Sequence, residues 1–269
     1  MRMRYVIKME CKRAYESRSF QGVLFLGILL AVLDYLTGIK IYDPSAQITY
    51  PATVVLAWLP MNFQFAYGMI FVVLLPLMAA IPYGGSYYHD RKSGYIKNIR
   101  LKVSGRAYFC AKYLVCFGTG FIVVLLPLLV SFFLVSTYLP WLKPEPFAQQ
   151  GLLQDACFMS EYFYERPVLY ILFYALIMAL FGGIFSVTAL CVTAFAKNLF
   201  SVLVIPFAVY ITSGAFLQQI GWTDISIFEM VNPLQSFTNR GNCIGIIMIL
   251  CIGCTFYQFC FVEAGKDVV

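Results

Sequence analysis

Six long runs of apolar residues, nearly free of charge, constrain this chain more than any other feature of its sequence. Most of them approach or exceed the roughly 20 residues with which an α-helix crosses about 30 Å of hydrocarbon. The chain is 61% hydrophobic and only 12% charged, so it has more apolar surface than one aqueous core requires. We therefore predict an all-α membrane protein with six transmembrane helices. The predicted spans are about 20–36, 61–82, 107–136, 167–195, 199–220 and 241–262.

The basic residues divide unevenly between the two sides of such a bundle. If alternate connections face the cytoplasm, starting with the N-terminus, that side holds 15 of the 19 Lys and Arg residues. Because cytoplasmic loops carry an excess of Lys and Arg, we expect a multi-pass protein of the cell (plasma) membrane with both termini cytoplasmic. It would comprise an interfacial segment over 1–19, a transmembrane domain over 20–262 and a tail over 263–269. The net charge of +6 then reflects topology, and we expect no nucleic-acid partner.

The N-terminal segment has the pattern of an amphipathic helix that lies at the membrane surface and leads into the first span. Tyr5, Met9 and Ala14 would form its apolar stripe, with Lys8, Lys12 and Arg13 towards water. The charged residues assigned to this interfacial helix are Glu10, Lys12, Arg13 and Arg18. A basic anchor that only sets topology would have the same composition, so the pattern alone does not assign a function.

The connection between the second and third spans is long and basic, yet it contains regularly placed apolar residues. Tyr95, Ile96, Ile99 and Val103 are interspersed with Lys and Arg side chains. This composition predicts a short helix at the cytoplasmic surface, anchored by its apolar residues. Such a helix can receive a push from a soluble partner.

In the segment between the second and third spans, the sequence resembles the ABC-2 type permeases, the membrane subunits of ATP-binding-cassette exporters. Those proteins have an acidic residue, a glycine, a short helix, then Ser and Arg, an aromatic residue and a Lys at the start of the third span. The corresponding residues here are Asp90, Gly94, Val103-Ser104, Arg106, Tyr108 and Lys112. The opening segment 10–20 and the Asn232-Pro233-Leu234 stretch are similar to the family as well, so the resemblance covers most of the chain.

The resemblance implies a mechanism. Two permease chains, identical or related, would form the translocation path, and two separate ATPase subunits would dock beneath them. The segment 90–103 would be the coupling helix, and ATP-driven closure of the ATPases would rock the permeases and expel substrate outward. The residues implied in ATPase coupling are Asp90, Gly94, Tyr95, Ile96, Ile99, Arg100, Val103 and Arg106.

The sequence has no nucleotide-binding motif. A P-loop requires Gly-x4-Gly-Lys-Ser/Thr, and the Gly265-Lys266 pair is followed by Asp267 and has no upstream glycine at that spacing. We therefore expect a non-catalytic permease that binds no cofactor itself, with ATP and Mg²⁺ on a partner ATPase. We also expect no metal site, since the chain has a single histidine, His89.

Other classes of protein fit less well. A secondary transporter usually has charges in mid-span or internal repeats, and the sequence shows neither. An intramembrane enzyme would need a nucleophile–base pair or a metal set. A membrane sensor or immunity subunit that does not transport stays open as an alternative. The substrate is not identified by the sequence; aromatic and Met-rich spans suit an apolar or amphipathic peptide, lipid or drug.

Three smaller features lead to structural expectations. Asp34 ends the first span, where we expect it to be close to water and to have no special role. Gly182 and Gly183 fit a close helix crossing better than a hinge. Cys157 and Cys243 would lie near the same outer face, and whether they pair is open.

Overall fold

The computed structural model describes residues 3–40, 53–62, 66–101, 103, 105–144, 158–222, 225–233 and 241–263, with the backbone alone at 38–40, 100, 106, 241–243 and 261–263. Within these residues the regular structure is helical, which confirms the predicted class. Cys157, Ser104 and the tail beyond residue 263 lie outside the described residues.

Eleven α-helices are present in the described part of the chain. They are α1 (Met3–Tyr15), α2 (Arg18–Leu33), α3 (Ala66–Ala80), α4 (Ser86–Lys92), α5 (Tyr95–Arg100), α6 (Gly105–Ser136), α7 (Ser160–Glu165), α8 (Pro167–Val192), α9 (Leu199–Ile220), α10 (Ile227–Val231) and α11 (Gly241–Tyr257). A π-helical segment, Asp34–Lys40, continues α2, and a second one, Gln258–Glu263, continues α11.

Four helices are long and apolar enough to cross a membrane. They lie at Arg18–Thr37, Ala107–Ser136, Pro167–Val192 and Leu199–Ile220. Each corresponds to a predicted span, and the boundaries differ by at most three residues. The α8 helix, for example, ends at Val192 because Thr193 begins a turn, whereas the prediction extended it to residue 195.

At the other two predicted spans, the apolar helices found within the fully described residues are shorter, at Ala66–Ala80 and Ile244–Cys260. The second of these helices runs from Gly241 through its π-helical continuation to Glu263, close to the predicted bounds 241–262. A helix of 15 residues is about 22 Å long, which is less than the hydrocarbon thickness. In the predicted span 61–82, a 3₁₀ turn at Leu59–Met61 occupies the start. The α3 helix ends before residue 82 because Pro82 disfavours helical geometry in the residue before it.

The centre of the bundle is the crossing of α6 and α8, the most extensive helix pair in the structure. At this crossing a Cβ atom added to Gly120 would lie 2.6 Å from the carbonyl oxygen of Gly182, and one added to Gly182 would lie 2.8 Å from that of Gly120. Gly183 faces the ring of Phe117 in the same way. The Gly182-Gly183 pair is therefore a packing feature, as we predicted, since only glycine permits this approach.

A tyrosine on α9 compensates for the proline inside α3. Pro76 has no N–H group, so the carbonyl of Val72, four residues earlier, lacks its usual helical partner. The hydroxyl of Tyr210 donates to this carbonyl at 3.3 Å, and the tyrosine is almost fully buried. Proline is tolerated in apolar helices when a neighbouring helix satisfies the freed carbonyl in this way.

Asp34 does not have the environment that we predicted. It is fully buried, and its Oδ1 accepts a hydrogen bond from Nδ2 of Asn62 at 3.0 Å. Its Oδ2 has no hydrogen-bond partner in the part of the chain that the structure describes. The expectation of an Asp close to water is wrong because the segment around Trp58–Asn62 packs over this end of α2.

Candidate functional site: a buried charge cluster

Helix α1 approaches the bundle with a face that includes a carboxylate. The buried residues on this helix are Val6, Glu10 and Ala14, spaced four residues apart. Tyr5, predicted to be in the apolar stripe, is 57% exposed. Ala14 is buried as predicted, whereas Tyr5 and Met9 were each placed on the packed face one residue before the residue that is buried, because the apolar pattern gave no reason to turn an acidic residue inwards.

Four charged side chains meet where α1, α4 and α6 come together, and we call Glu10, Arg13, Asp90 and Lys112 the charge cluster. Arg13 lies between the two carboxylates, with Nη1 2.9 Å from Oε1 of Glu10 and Nη2 2.7 Å from Oδ1 of Asp90. On the other side, Nζ of Lys112 is 3.2 Å from Oε2 of Glu10 and also contacts Oδ2 of Asp90. Each cation therefore bridges both anions.

Three tyrosines complete the cluster. Tyr83 donates to Oε2 of Glu10, and Tyr108 donates to Oδ2 of Asp90 at 2.5 Å. Both rings lie with their centroids 5.3 Å from the ammonium of Lys112, and the ring of Tyr95 lies 4.7 Å from the guanidinium carbon of Arg13. The charges are thus hydrogen-bonded and covered by aromatic faces, which is how buried charges are accommodated in proteins.

The electrostatics of the cluster are balanced. Two carboxylates face two cations, and Glu10, Asp90 and Lys112 are at most 2% exposed. Burial by itself would raise the pKa of Asp90, but hydrogen bonding from Arg13 and the charge of Lys112 outweigh it and lower the pKa below 3.8. Burial opposes the charge of Arg13, and the two carboxylates overcome that effect and raise its pKa. Both residues therefore stay charged across the neutral range.

The predicted coupling helix consists of two short helices, not one. Helices α4 and α5 are separated at Gly94, whose φ of 70° is left-handed. Glycine adopts this conformation without the cost that a side chain imposes. Asp90, on α4, lies in the charge cluster, and Ile96 and Ile99 of α5 pack against the bundle.

The apolar residues of this segment are anchors. Ile96, Ile99 and Val103 are each less than 9% exposed and pack in an apolar cluster with Tyr87 and Phe109. They face the bundle, as the sequence predicted for apolar anchors of this segment. Their assignment to ATPase coupling stays a prediction.

The exposed face of this segment consists of different residues. Lys97 and Asn98 are exposed on α5, and Leu101 is 88% exposed just after it. The side chains of Arg100 and Arg106, both assigned to coupling, lie outside the described residues. On the interfacial helix, Lys12 is exposed and pairs with Glu16 at 3.7 Å, and Arg18 is the first residue of α2.

Sequence reasoning identified part of this site. Asp90, Arg13 and Glu10 were singled out, and Lys112 and Tyr108 belong to the motif that carries the resemblance. Tyr83 was missed, because nothing in its local sequence distinguishes it from other aromatic residues near a span end. Arg13 was expected to face water, but its guanidinium lies within the cluster.

The arrangement of the charge cluster suits the transfer of movement between structural elements. The cluster ties an N-terminal helix, a surface connection and a long apolar helix to one another through charge-assisted hydrogen bonds. Among the described residues, no group of three or more His, Cys, Asp or Glu side chains could hold a metal ion. Comparison of the chain with family models, curated proteins and solved structures found no match.

Proposed function

We propose that this chain is the permease subunit of an ABC-2 type exporter, which forms the translocation path and couples ATP hydrolysis on a separate ATPase to outward transport of an apolar or amphipathic substrate. The observation that carries the proposal is the charge cluster, because it links the candidate coupling segment to both α1 and α6. In this proposal the chain spans the plasma membrane with both termini cytoplasmic, and a second permease chain completes the path.

A force on α5 has a direct route into the bundle. The helix is fixed to the core by Ile96 and Ile99 and joined through Gly94 to α4, whose Asp90 is held by Arg13 and Lys112. Lys112 lies on α6, the helix that crosses α8 at the closest approach in the bundle. Displacement of α5 would therefore move α1 and α6 together, since separating them would leave buried charges unpaired.

The surface offered to the ATPase consists of Lys97, Asn98 and Leu101. An apolar side chain as exposed as Leu101 is suited to insertion in a groove on a partner, with Lys97 placed for an acidic rim. We propose that ATP and Mg²⁺ bind to that partner.

One observation favours a second candidate, a secondary transporter. The carboxyl group of Asp34 is fully buried in an apolar helix, and Oδ2 has no hydrogen-bond partner among the described residues. Ionisable groups at such positions mark ion or proton pathways in many membrane proteins. Transport by the chain alone, driven by a proton gradient and lost in Asp34→Asn, would support this candidate over the exporter.

The test is co-expression of the chain with ATP-binding-cassette ATPases from the same genome, followed by co-purification and ATPase assays. The interface variant is Lys97→Glu combined with Leu101→Asp, which reverses a charge and removes the exposed apolar side chain without touching the anchors. The matched control is Lys143→Glu, the same Lys-to-Glu change at an exposed position beyond the end of α6.

We expect the ATPase to co-purify with wild type and the control, and to be lost with the interface variant while the permease remains monodisperse. Absence of ATPase binding to wild type in every condition would remove the permease assignment. Binding that survives in the interface variant would show that the docking surface is elsewhere on the chain.

A further inference from the structure

An apolar groove of about 300 Å³ lies between parts of α1 and α6. One wall is the face of α1 that contains Ile7, Cys11 and Tyr15, and the other is the stretch of α6 that contains Leu114, Gly118 and Ile122. This groove is on the other side of α1 from the exposed residues Lys12 and Glu16, and the charge cluster does not line it. Its apolar walls make it distinct from the polar site described above.

The groove is large and open. A dry apolar cavity of about 150 Å³ holds a benzene molecule, so the volume here suits a longer aliphatic segment. Gly118 contributes to the space, since a Cβ added there would meet no atom within 4 Å. Leu114 and Ile122 are 50% and 41% exposed along the α6 wall, so a chain-like ligand can enter from the side.

Two basic residues lie near the end of the groove at the start of α1. Arg4 is exposed one turn before Ile7, and Lys8 is exposed directly after it. These two cations give this end of the groove a positive charge.

We infer that the groove binds one acyl chain of an anionic phospholipid, with the lipid phosphate held by Arg4 and Lys8. The apolar walls fit the chain, and the basic end is complementary to a phosphate and to an anionic membrane surface. An amphipathic helix next to a membrane-crossing helix places this groove at the boundary between headgroups and acyl chains. The inference depends on the membrane placement of α2 and α6 and not on the proposed transport function.

A photoactivatable lipid tests this directly. The purified full chain is reconstituted in phosphatidylcholine vesicles that contain a trace of phosphatidylglycerol with a diazirine in its acyl chain, illuminated, digested and mapped by mass spectrometry. A phosphatidylcholine analogue and a free fatty acid with the same diazirine are parallel samples. We expect adducts on residues 7–15 and 114–122 with the phosphatidylglycerol probe, and several-fold fewer with the other two.

Two pairs of variants separate groove binding from general contact with lipid. Gly118→Leu should fill the groove and abolish these adducts, whereas Gly253→Leu, also at a glycine with no atom within 4 Å of an added Cβ, should keep them. Arg4→Gln and Lys8→Gln should each reduce labelling by phosphatidylglycerol about fivefold, and Lys92→Gln, an exposed position on α4, should not. The charge variants are at exposed sites, so they give a result even if Gly118→Leu does not fold.

Several results would overturn the inference. Equal labelling by the phosphatidylglycerol and phosphatidylcholine probes would show that any lipid covers the surface. Undiminished adducts in a folded Gly118→Leu protein would place the lipid elsewhere. Efficient disulfide formation between the exposed Cys11 residues of two chains would show that a second copy, and not lipid, occupies the groove.

Discussion

Arg13 and Asp90 are 77 residues apart in the sequence, yet Nη2 of Arg13 lies 2.7 Å from Oδ1 of Asp90. The contact joins the N-terminal helix to the connection that follows α3, and Lys112 extends it to α6. Apolar packing also joins these elements, since Val6 of α1 and Tyr87 of α4 lie in one apolar cluster with Phe109 of α6. The charge cluster adds ionic contacts to that packing.

Removal of Lys112 should lower the free energy of unfolding far more than removal of an exposed lysine. Lys112→Met leaves Glu10 and Asp90 buried with Arg13 as their remaining cation, and breaking a buried pair costs about 3–5 kcal/mol. Lys12→Met breaks only an exposed pair with Glu16, which is worth about 0.3–0.5 kcal/mol. The free energy of unfolding in mixed micelles measures both. Equal effects would show that the cluster contributes no net stability.

The stability that Asp90 provides should disappear in acid. Its pKa in the folded protein is below 3.8, so the folded state favours the ionised form more than the unfolded state does. This contribution is complete above the unfolded pKa and is lost as the pH falls through the folded pKa. Asp90→Asn should therefore lower the melting temperature more at about pH 7 than at about pH 3.

The exposed Glu16 is the control for this pH dependence, because Glu16→Gln changes a carboxylate that is 62% exposed. Its effect on the melting temperature should be small at both pH values. A constant difference between wild type and Asp90→Asn across the pH range would mean that the carboxylate contributes by its shape and hydrogen bonds and not by its charge.

Parts of the fold could be predicted from the sequence because they depend on local pattern. Continuous apolar runs identified the four long helices, and α6 shows the expected bounds within two residues. The start of the span predicted at 61–82 was misplaced for a local reason as well, since apolar composition continues through the 3₁₀ turn at Leu59–Met61 where α-helical geometry does not.

Other parts depend on tertiary contacts that no local pattern encodes. Glu10 could be placed on a helix, but its burial follows from Lys112 and Tyr83, which are 102 and 73 residues away. The enclosure of Asp34 likewise requires Asn62, 28 residues on. A charged residue is expected to face water unless its partner is known, so Asp34 was assigned the wrong surroundings and the burial of Glu10 was not predicted.

Tyr210→Phe should destabilise the bundle only while Pro76 is present. The tyrosine hydroxyl satisfies the carbonyl of Val72, and its loss leaves a buried acceptor unpaired at about 1–3 kcal/mol. In a Pro76→Ala background the alanine N–H can bond to that carbonyl, so the same change should cost much less. Tyr88→Phe, which removes an exposed bond to Lys197, is the control. The cycle is measured by unfolding in mixed micelles, and an equal cost in both backgrounds would contradict this pairing.

Alanine substitutions at two nearby glycines of α6 should change the stability of the protein in opposite directions. At Gly120 the new methyl would lie 2.6 Å from both the Gly182 carbonyl oxygen and the Cβ of Ser186, and overpacking of this kind costs about 1–3 kcal/mol. At Gly118, two residues earlier, no atom lies within 4 Å, so Gly118→Ala should stabilise by up to about 1 kcal/mol through helix propensity. Because both changes have the same chemistry on the same helix, the difference between their melting temperatures isolates the α6–α8 crossing. A stable, monodisperse Gly120→Ala protein with a melting temperature at or above that of Gly118→Ala would show that the two helices do not meet at this glycine.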